Sequence, residues 1–280
     1  MCTAFVSIDP SSPTPVVVLS VRDEYAGRDW LPPDRHWASR PALVGGRDLA
    51  AGGTWLALDP GGAGEPPRMA CLLNGFGPPA APAVRLSRGD LPLMAATDGG
   101  LDLDLLDPQR YDPFHLVRAQ AGEVSVLSWS GHELAERLLP PGLHVVVNDG
   151  PEGRAANRTA SQRAGRMMAA RIAHFRPLLA AAARPEPTAG PADAPTGEAW
   201  GQWLPIAAGD GLDLDDPAAL IQRRDFGDGR IWGSTSVSLV ALGPAEARYD
   251  FNSVPGSGAW HRIGLGPRTP STRPAEVPTA

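Results

Sequence analysis

The run Pro15-Val16-Val17-Val18-Leu19-Ser20-Val21 constrains the fold of this chain more than any other segment. A half-buried strand alternates apolar and polar residues. A nearly continuous apolar, β-branched run instead belongs to a strand covered on both faces. Cys2 to Ile8 reads as another strand, and Asp9-Pro10-Ser11-Ser12-Pro13 reads as the turn between them. The two strands form a hairpin, which returns residues 21–23 to the side of Cys2.

That return gives Cys2 its interest. Cys is small enough for Met1 to be removed, and the mature chain would then begin with a thiol and a free α-amine on one residue. The α-amine titrates near physiological pH, so it can take the thiol proton without another side chain. The thiolate is the competent nucleophile, and an N-terminal amine is an established activating base. Taken alone, a Cys at position two reads better as an accident of small-residue preference than as a nucleophile.

Further along, residues 25–50 read as an Arg-, Pro- and Gly-rich loop carrying Trp30, His36 and Trp37. Gly53 to Leu58 and Met69 to Leu73 read as strands turned by Gly61-Gly62-Ala63-Gly64. Ser87 to Thr97 opens a helix. Phe114–Ala119 and Val124–Trp129 form a hairpin, and Leu143–Val147 is a short strand ending at Asn148. Ser161 to Ala182 is the strongest helix, with apolar residues at helical spacing and Pro177 expected to kink or end it. A Pro/Ala-rich linker follows at 184–196, then a short helix with Trp200 and Trp203. A hairpin of Ile231–Leu242 and Ala247–Asn252 comes last. This order predicts an α+β fold, antiparallel sheet with helices packed outside it. It predicts one domain over 1–266 and a disordered tail over 267–280.

Composition excludes several classes. The net charge of −6, with no basic run, disfavours nucleic acid and anionic membrane as partners. No stretch approaches a membrane span, and no secretory signal opens the chain. Two cysteines, Cys2 and Cys71, make no disulfide framework and suit a reducing compartment, so a cytoplasmic location is expected. The six His fall in no ligand spacing, so no metal site is expected. Cys71, inside an apolar strand, reads as an inert buried thiol.

Four features in order resemble a known family: Met1-Cys2; Val21-Arg22-Asp23-Glu24; Gly45-Gly46-Arg47-Asp48 followed by Gly52-Gly53-Thr54-Trp55-Leu56; and Asn74 followed by Ser87-Arg88-Gly89-Asp90-Leu91. The chain is similar to the NRDE proteins, also called the transport and Golgi organisation protein 2 family, with Val21 where the family has Asn. That family in turn resembles the N-terminal-nucleophile hydrolases of the choloylglycine hydrolase and penicillin V acylase branch. The resemblance implies a four-layer αββα sandwich with the nucleophile at the start of a central strand.

It also implies site residues. Cys2 would be the nucleophile, with Arg22 and Asp23 at the end of the second strand. Arg22 would stabilise the thiolate and lower its pKa, and Asp23 would hold or orient the α-amine. Asn74 and Asn148 would take part in an oxyanion hole, although Asn74-Gly75 and Asn148-Asp149-Gly150 also read as ordinary turns. The family's late-strand Arg is missing at Gly233, and Arg230, three residues earlier, is the substitute to check. Apart from the resemblance, the Trp-rich loop suggests that Trp30 and Trp37 border an apolar substrate pocket with His36 beside them, although Trp is also a common core residue and His36 reads as a loop residue.

Two functions are compatible with these residues. One is an amidohydrolase or acyltransferase forming a Cys2 acyl-enzyme on an acyl amide or thioester, with no cofactor. The other is a non-catalytic carrier of haem or an acyl lipid in the same cleft, as the family's association with haem trafficking and lipid homeostasis implies.

Overall fold

The computed structural model describes residues 2–62, 64–97, 99–154, 162–254 and 258–266. Met1, Ser161 and the predicted tail 267–280 lie outside the described residues. The chain opens with β1 (Thr3–Ile8) and β2 (Val16–Tyr25), followed by β3 (Trp30–Asp34), β4 (Val44–Asp48), β5 (Leu56–Asp59) and β6 (Arg68–Asn74). A short helix, α1 (Asp90–Ala95), precedes β7 (Phe114–Gln120), β8 (Glu123–Trp129), β9 (Leu134–Leu138), β10 (Gly142–Val147) and β11 (Gly150–Pro151). Then come α2 (Gln162–Ala181), α3 (Thr196–Trp200) and α4 (Trp203–Ala207). The chain returns to sheet in β12 (Arg223–Asp225), β13 (Ile231–Leu242), β14 (Ala247–Ser253) and β15 (Trp260–Arg262).

Two antiparallel sheets result. The first has the order β11-β10-β1-β2-β13-β14-β15, with β12 also paired to β13. The second runs β3-β4-β5-β6-β7-β8-β9 in chain order. The early hairpin is therefore the centre of the first sheet, and β13, which follows the 184–196 segment, pairs with β2 along its length.

The expected two-sided burial of β2 is what the core shows. Val16 and Val18 join Ala4, Val6, Leu56, Leu58, Met69, Val117 and Val126 in a cluster shared by both sheets. Val17, Leu19 and Val21 face the other way, against Met168, Phe175 and Leu179 of α2, Trp200 of α3 and Trp203 of α4. A third cluster covers the far face of the second sheet, where Leu91 and Leu93 of α1 meet Ala57, Ala70, Leu116 and Leu127. Burying one such Val or Leu side chain contributes roughly 1.5–3 kcal/mol, so the apolar run of β2 anchors two of the three clusters.

Several expectations need correction. The 25–50 segment contains two strands, β3 and β4, and β9 lies where none was expected. Pro177 sits inside α2, which continues through it to Ala181. The expected single helix around Trp200 and Trp203 is two short ones.

Candidate active site

The register of the first sheet assembles the site. Thr3 faces Val21 on β2 and Val147 on β10, which puts Cys2, one residue earlier, between the Arg22 and Asn148 positions. The Cys2 thiol points to the Asp23 carbonyl, with Sγ 3.7 Å from it. On the other side of β2, the β13 register slips between Ser234 and Ser236. Such bulges re-aim side chains, and here Thr235 turns to Arg22. Its Oγ1 accepts from Arg22 Nη1 at 2.9 Å and donates to the Arg22 carbonyl at 3.2 Å.

Arg22 is 5% exposed, and three contacts fix it besides its backbone. Nη2 donates to Asp48 Oδ2 at 3.1 Å, Thr235 holds Nη1, and the guanidinium lies 4.5 Å over the Trp55 ring. Burial pulls the Arg22 guanidinium below its ordinary value, while the Cys2, Glu24 and Asp48 groups around it oppose that pull. Asp48 is a shared acceptor. Arg28 grips both its oxygens, and the Ala50 and Ala51 N–H groups donate to Oδ1 at 3.1 and 2.9 Å. Burial would raise the Asp48 carboxyl, but the Arg28 and Ala51 hydrogen bonds and the charges of Arg28 and Arg22 outweigh it and hold it low.

Asp23 is 1% exposed and fully engaged. Ser234 Oγ donates to Oδ1 at 2.6 Å, and Gln222 Nε2 donates to Oδ2. Arg171, reaching from α2, lies 3.4 Å from Oδ2, and its Nη1 also donates to Thr3 Oγ1 at 2.8 Å. Burial alone would raise the Asp23 carboxyl; the positive charge around it, Arg171 included, and the Ser234 hydroxyl bring it below its ordinary value. An ionised, fully buried carboxylate therefore sits beside the start of β1.

Cys2, Arg22, Asp23 and Asn74 line one open cleft of ≈ 470 Å³. Residues from the second sheet and its loops complete it, among them Asp48, Thr54, Trp55, Arg85, Ser87 and Arg88. Asn148 is not among the residues that line the cleft. Its Nδ2 donates to the Asn74 carbonyl at 2.6 Å, so it positions Asn74, and its own Oδ1 is buried with no hydrogen-bond partner.

The structure does not bring Trp30, His36 and Trp37 to this cleft. Trp30 packs edge-on against Trp55 and Phe251. Trp37 donates Nε1–H to the Gly52 carbonyl at 3.0 Å. His36 stacks edge-on against Trp37 and meets the Pro32 carbonyl at 2.8 Å. Trp30 starts β3 opposite Asp48, yet its ring turns into the core between the sheets rather than into the cleft. Arg230 also stays outside; it is exposed and paired with Asp228 at 2.6 Å. At Gly233 a β-carbon would stand 2.5 Å from the Gln222 carbonyl oxygen, so this backbone leaves no room for an Arg there.

The expected depression of the Cys2 thiol pKa is reversed in this state. Burial pushes the thiol up, the Asp23 charge adds to the rise, and Arg22 only partly opposes it. Cys71 is 1% exposed, 3.1 Å from Ser20 Oγ, and pushed up to about 12 by burial. Among the described residues no group of three His, Cys, Asp or Glu is placed to hold a metal, and no helix is long and apolar enough to cross a membrane.

The roles of Asp48, Trp55 and Arg88 were missed by sequence reasoning, although all three lie inside the quoted motif strings. Their presence in those strings was the available signal. The family model described as Transport and Golgi organisation 2 matches residues 1–174, which include all the cleft residues named above. No curated protein matches the chain.

Proposed function

The chain belongs to the transport and Golgi organisation 2 family, and from that premise we propose that it is an N-terminal-nucleophile amidohydrolase or acyltransferase working through Cys2. The observation that carries this reading is the convergence of Cys2, Arg22, Asp23 and Asn74 on one cleft. Three buried clusters stacked across two sheets support the αββα sandwich of that enzyme class.

In this mechanism Met1 is removed, and the freed α-amine of Cys2 takes the thiol proton. The thiolate attacks the carbonyl carbon of an acyl amide or thioester, and the carbonyl electron pair moves to oxygen. The Asn74 amide donates to that oxyanion, where charge develops. Asp23 orients the ammonium, which returns its proton to the departing amine or thiol as the C–N or C–S bond breaks. Water then gives a proton to the amine and attacks the Cys2 thioester; as the C–S bond breaks, the ammonium returns that proton to Cys2 Sγ and the acid leaves. An acceptor amine or alcohol in place of water makes the same step an acyl transfer. Arg22, fixed by Thr235 and Asp48, stabilises the thiolate.

The charged lining of the cleft supports a polar substrate and gives no support to haem or acyl-lipid carriage, since Trp30, Trp37 and His36 lie elsewhere. The test combines intact mass with turnover of a panel of acyl amides and thioesters. The expected result is a chain starting at Cys2, an acyl adduct on it, and hydrolysis at background in Cys2→Ala. Fully retained Met1 in active protein, or unchanged turnover in Cys2→Ala, would overturn the mechanism. Inertness of the wild type together with tight haem or lipid binding would replace it with the carrier.

A further inference from the structure

The cleft has four arginines in its lining, and three are already matched to carboxylates. Arg22 and Arg28 share Asp48, and Arg85 lies 3.3 Å from Asp112. Arg88 differs. Its Nη1 donates to the Pro113 carbonyl at 2.8 Å, and no carboxylate pairs with it among the described residues. That single contact leaves the Nε–Nη2 edge of the guanidinium open, the edge whose two parallel N–H groups match a carboxylate.

The position of Arg88 is built. Thr54 N–H donates to the Gly89 carbonyl at 2.9 Å, and Ser87 Oγ accepts from Gly89 N–H at 3.1 Å. Gly53 lies so close to Gly89 that a β-carbon at position 53 would overlap the Gly89 carbonyl. The Gly52-Gly53-Thr54 and Ser87-Arg88-Gly89 strings are therefore two halves of one backbone joint, and the joint delivers Arg88 to the wall of the cleft that holds Cys2. Burial lowers the Arg88 guanidinium, and negative charge at Asp112 and Cys2 works against that. A bound anion would act in the same direction.

We propose that Arg88 is a carboxylate-binding subsite, so that the amide or thioester offered to Cys2 carries a carboxylate on the same molecule. The substrate assignment rests on Cys2 being the nucleophile; the anion site does not. Arg88 acts as a specificity residue that orients this carboxylate, while Arg22 and Arg28 stay committed to Asp48.

Two measurements on the full chain test this. The first is alkylation of Cys2 by iodoacetate and by the neutral iodoacetamide, followed by peptide mapping. Wild type is expected to favour iodoacetate relative to a free thiol. The ratio should fall by about tenfold in Arg88→Gln, the scale of one charge-assisted hydrogen bond, recover in part in Arg88→Lys, and change less than about twofold in Arg230→Gln, which lies outside the cleft. The second is malonate binding by titration calorimetry, which needs no reactive thiol. Binding is expected in wild type and Arg230→Gln and lost in Arg88→Gln. Absence of malonate binding in wild type overturns the subsite, as does an equal effect of Arg230→Gln and Arg88→Gln in either measurement. If Cys2 reacts with neither reagent while malonate still binds through Arg88, the nucleophile fails and the subsite stands.

Discussion

Arg22 of the first sheet and Asp48 of the second are joined through a 3.1 Å contact between Nη2 and Oδ2. The bond links the two sheets within the lining of the cleft, and its carboxylate is the one that Arg28 also grips. Asp48→Asn keeps the shape and removes the charge. It should destabilise the protein by about 1.5–3 kcal/mol, the scale for hydrogen bonds to a charged group. It should also slow Cys2 acylation, because Arg22 is no longer held in place. Thermal unfolding and single-turnover labelling of the variant check both.

The carboxyls of Asp23 and Asp48 are held below their ordinary values in the fold. The unfolded chain then binds more protons than the native one as the medium turns acidic. The stability from both groups is fully present above the unfolded carboxylate value, near 3.9, and is lost as pH falls through their lower folded values. Urea midpoints measured downward from pH 6 should drop below about pH 4, and the drop should be shallower in Asp48→Asn. An equal slope in that variant would remove Asp48 from the account.

The two thiols should separate cleanly. Native Cys71, buried and pushed up to about 12, should stay unlabelled by iodoacetamide at pH 8 until the protein unfolds. Cys2 should label in the folded state. While Met1 remains, burial keeps its thiol high, so labelling should accelerate on removing Met1. Peptide mapping of matched samples with and without Met1 measures the difference.

Arg171 ties α2 to the start of β1 and to Asp23, and it donates to the Ala219 carbonyl as well. Arg171→Met leaves a buried carboxylate with one cation fewer. Losing one partner of a buried ion pair costs about 3–5 kcal/mol. The unfolding midpoint should fall accordingly, and a shift below about 1 kcal/mol would show that Gln222, Ser234 and the remaining partners suffice.

Trp37→Ala should leave cleft binding unchanged, because its indole is spent on the Gly52 carbonyl. Malonate affinity in the variant should match wild type, and any change should appear in stability instead.

The parts of the fold legible in sequence are those with local, repeated signals. The β1–β2 hairpin, the β7–β8 hairpin and α2 each carry apolar runs or helical periodicity. Of the missed strands of the second sheet, β3 and β9 are its two edges, and β4 lies beside β3. Edges need fewer apolar residues and tolerate proline; β3 contains Pro32 and Pro33, and four of five residues of β9 are exposed. The site divides the same way. Cys2, Arg22 and Asp23 follow from one hairpin register. Asp48, Trp55 and Arg88 come from the opposite sheet, and no local spacing says that the sheets meet there. Trp37 and His36 misled because nearness in the chain was read as nearness in space.

The hydrogen bonds of Asp23 have a consequence for the life of the chain during synthesis. Its partners Gln222 and Ser234 lie 199 and 211 residues downstream, and β13 pairs along β2 only after residues 231–242 exist. At the other end of the hairpin, Arg184 grips Ser7, Ser12 and Thr14. A nascent chain still on the ribosome therefore exposes its thiol early, but holds it in an unfinished frame until residues 222–242 have been made. Reactivity at Cys2 is licensed by partners of Asp23 that lie 199 and 211 residues further along the chain.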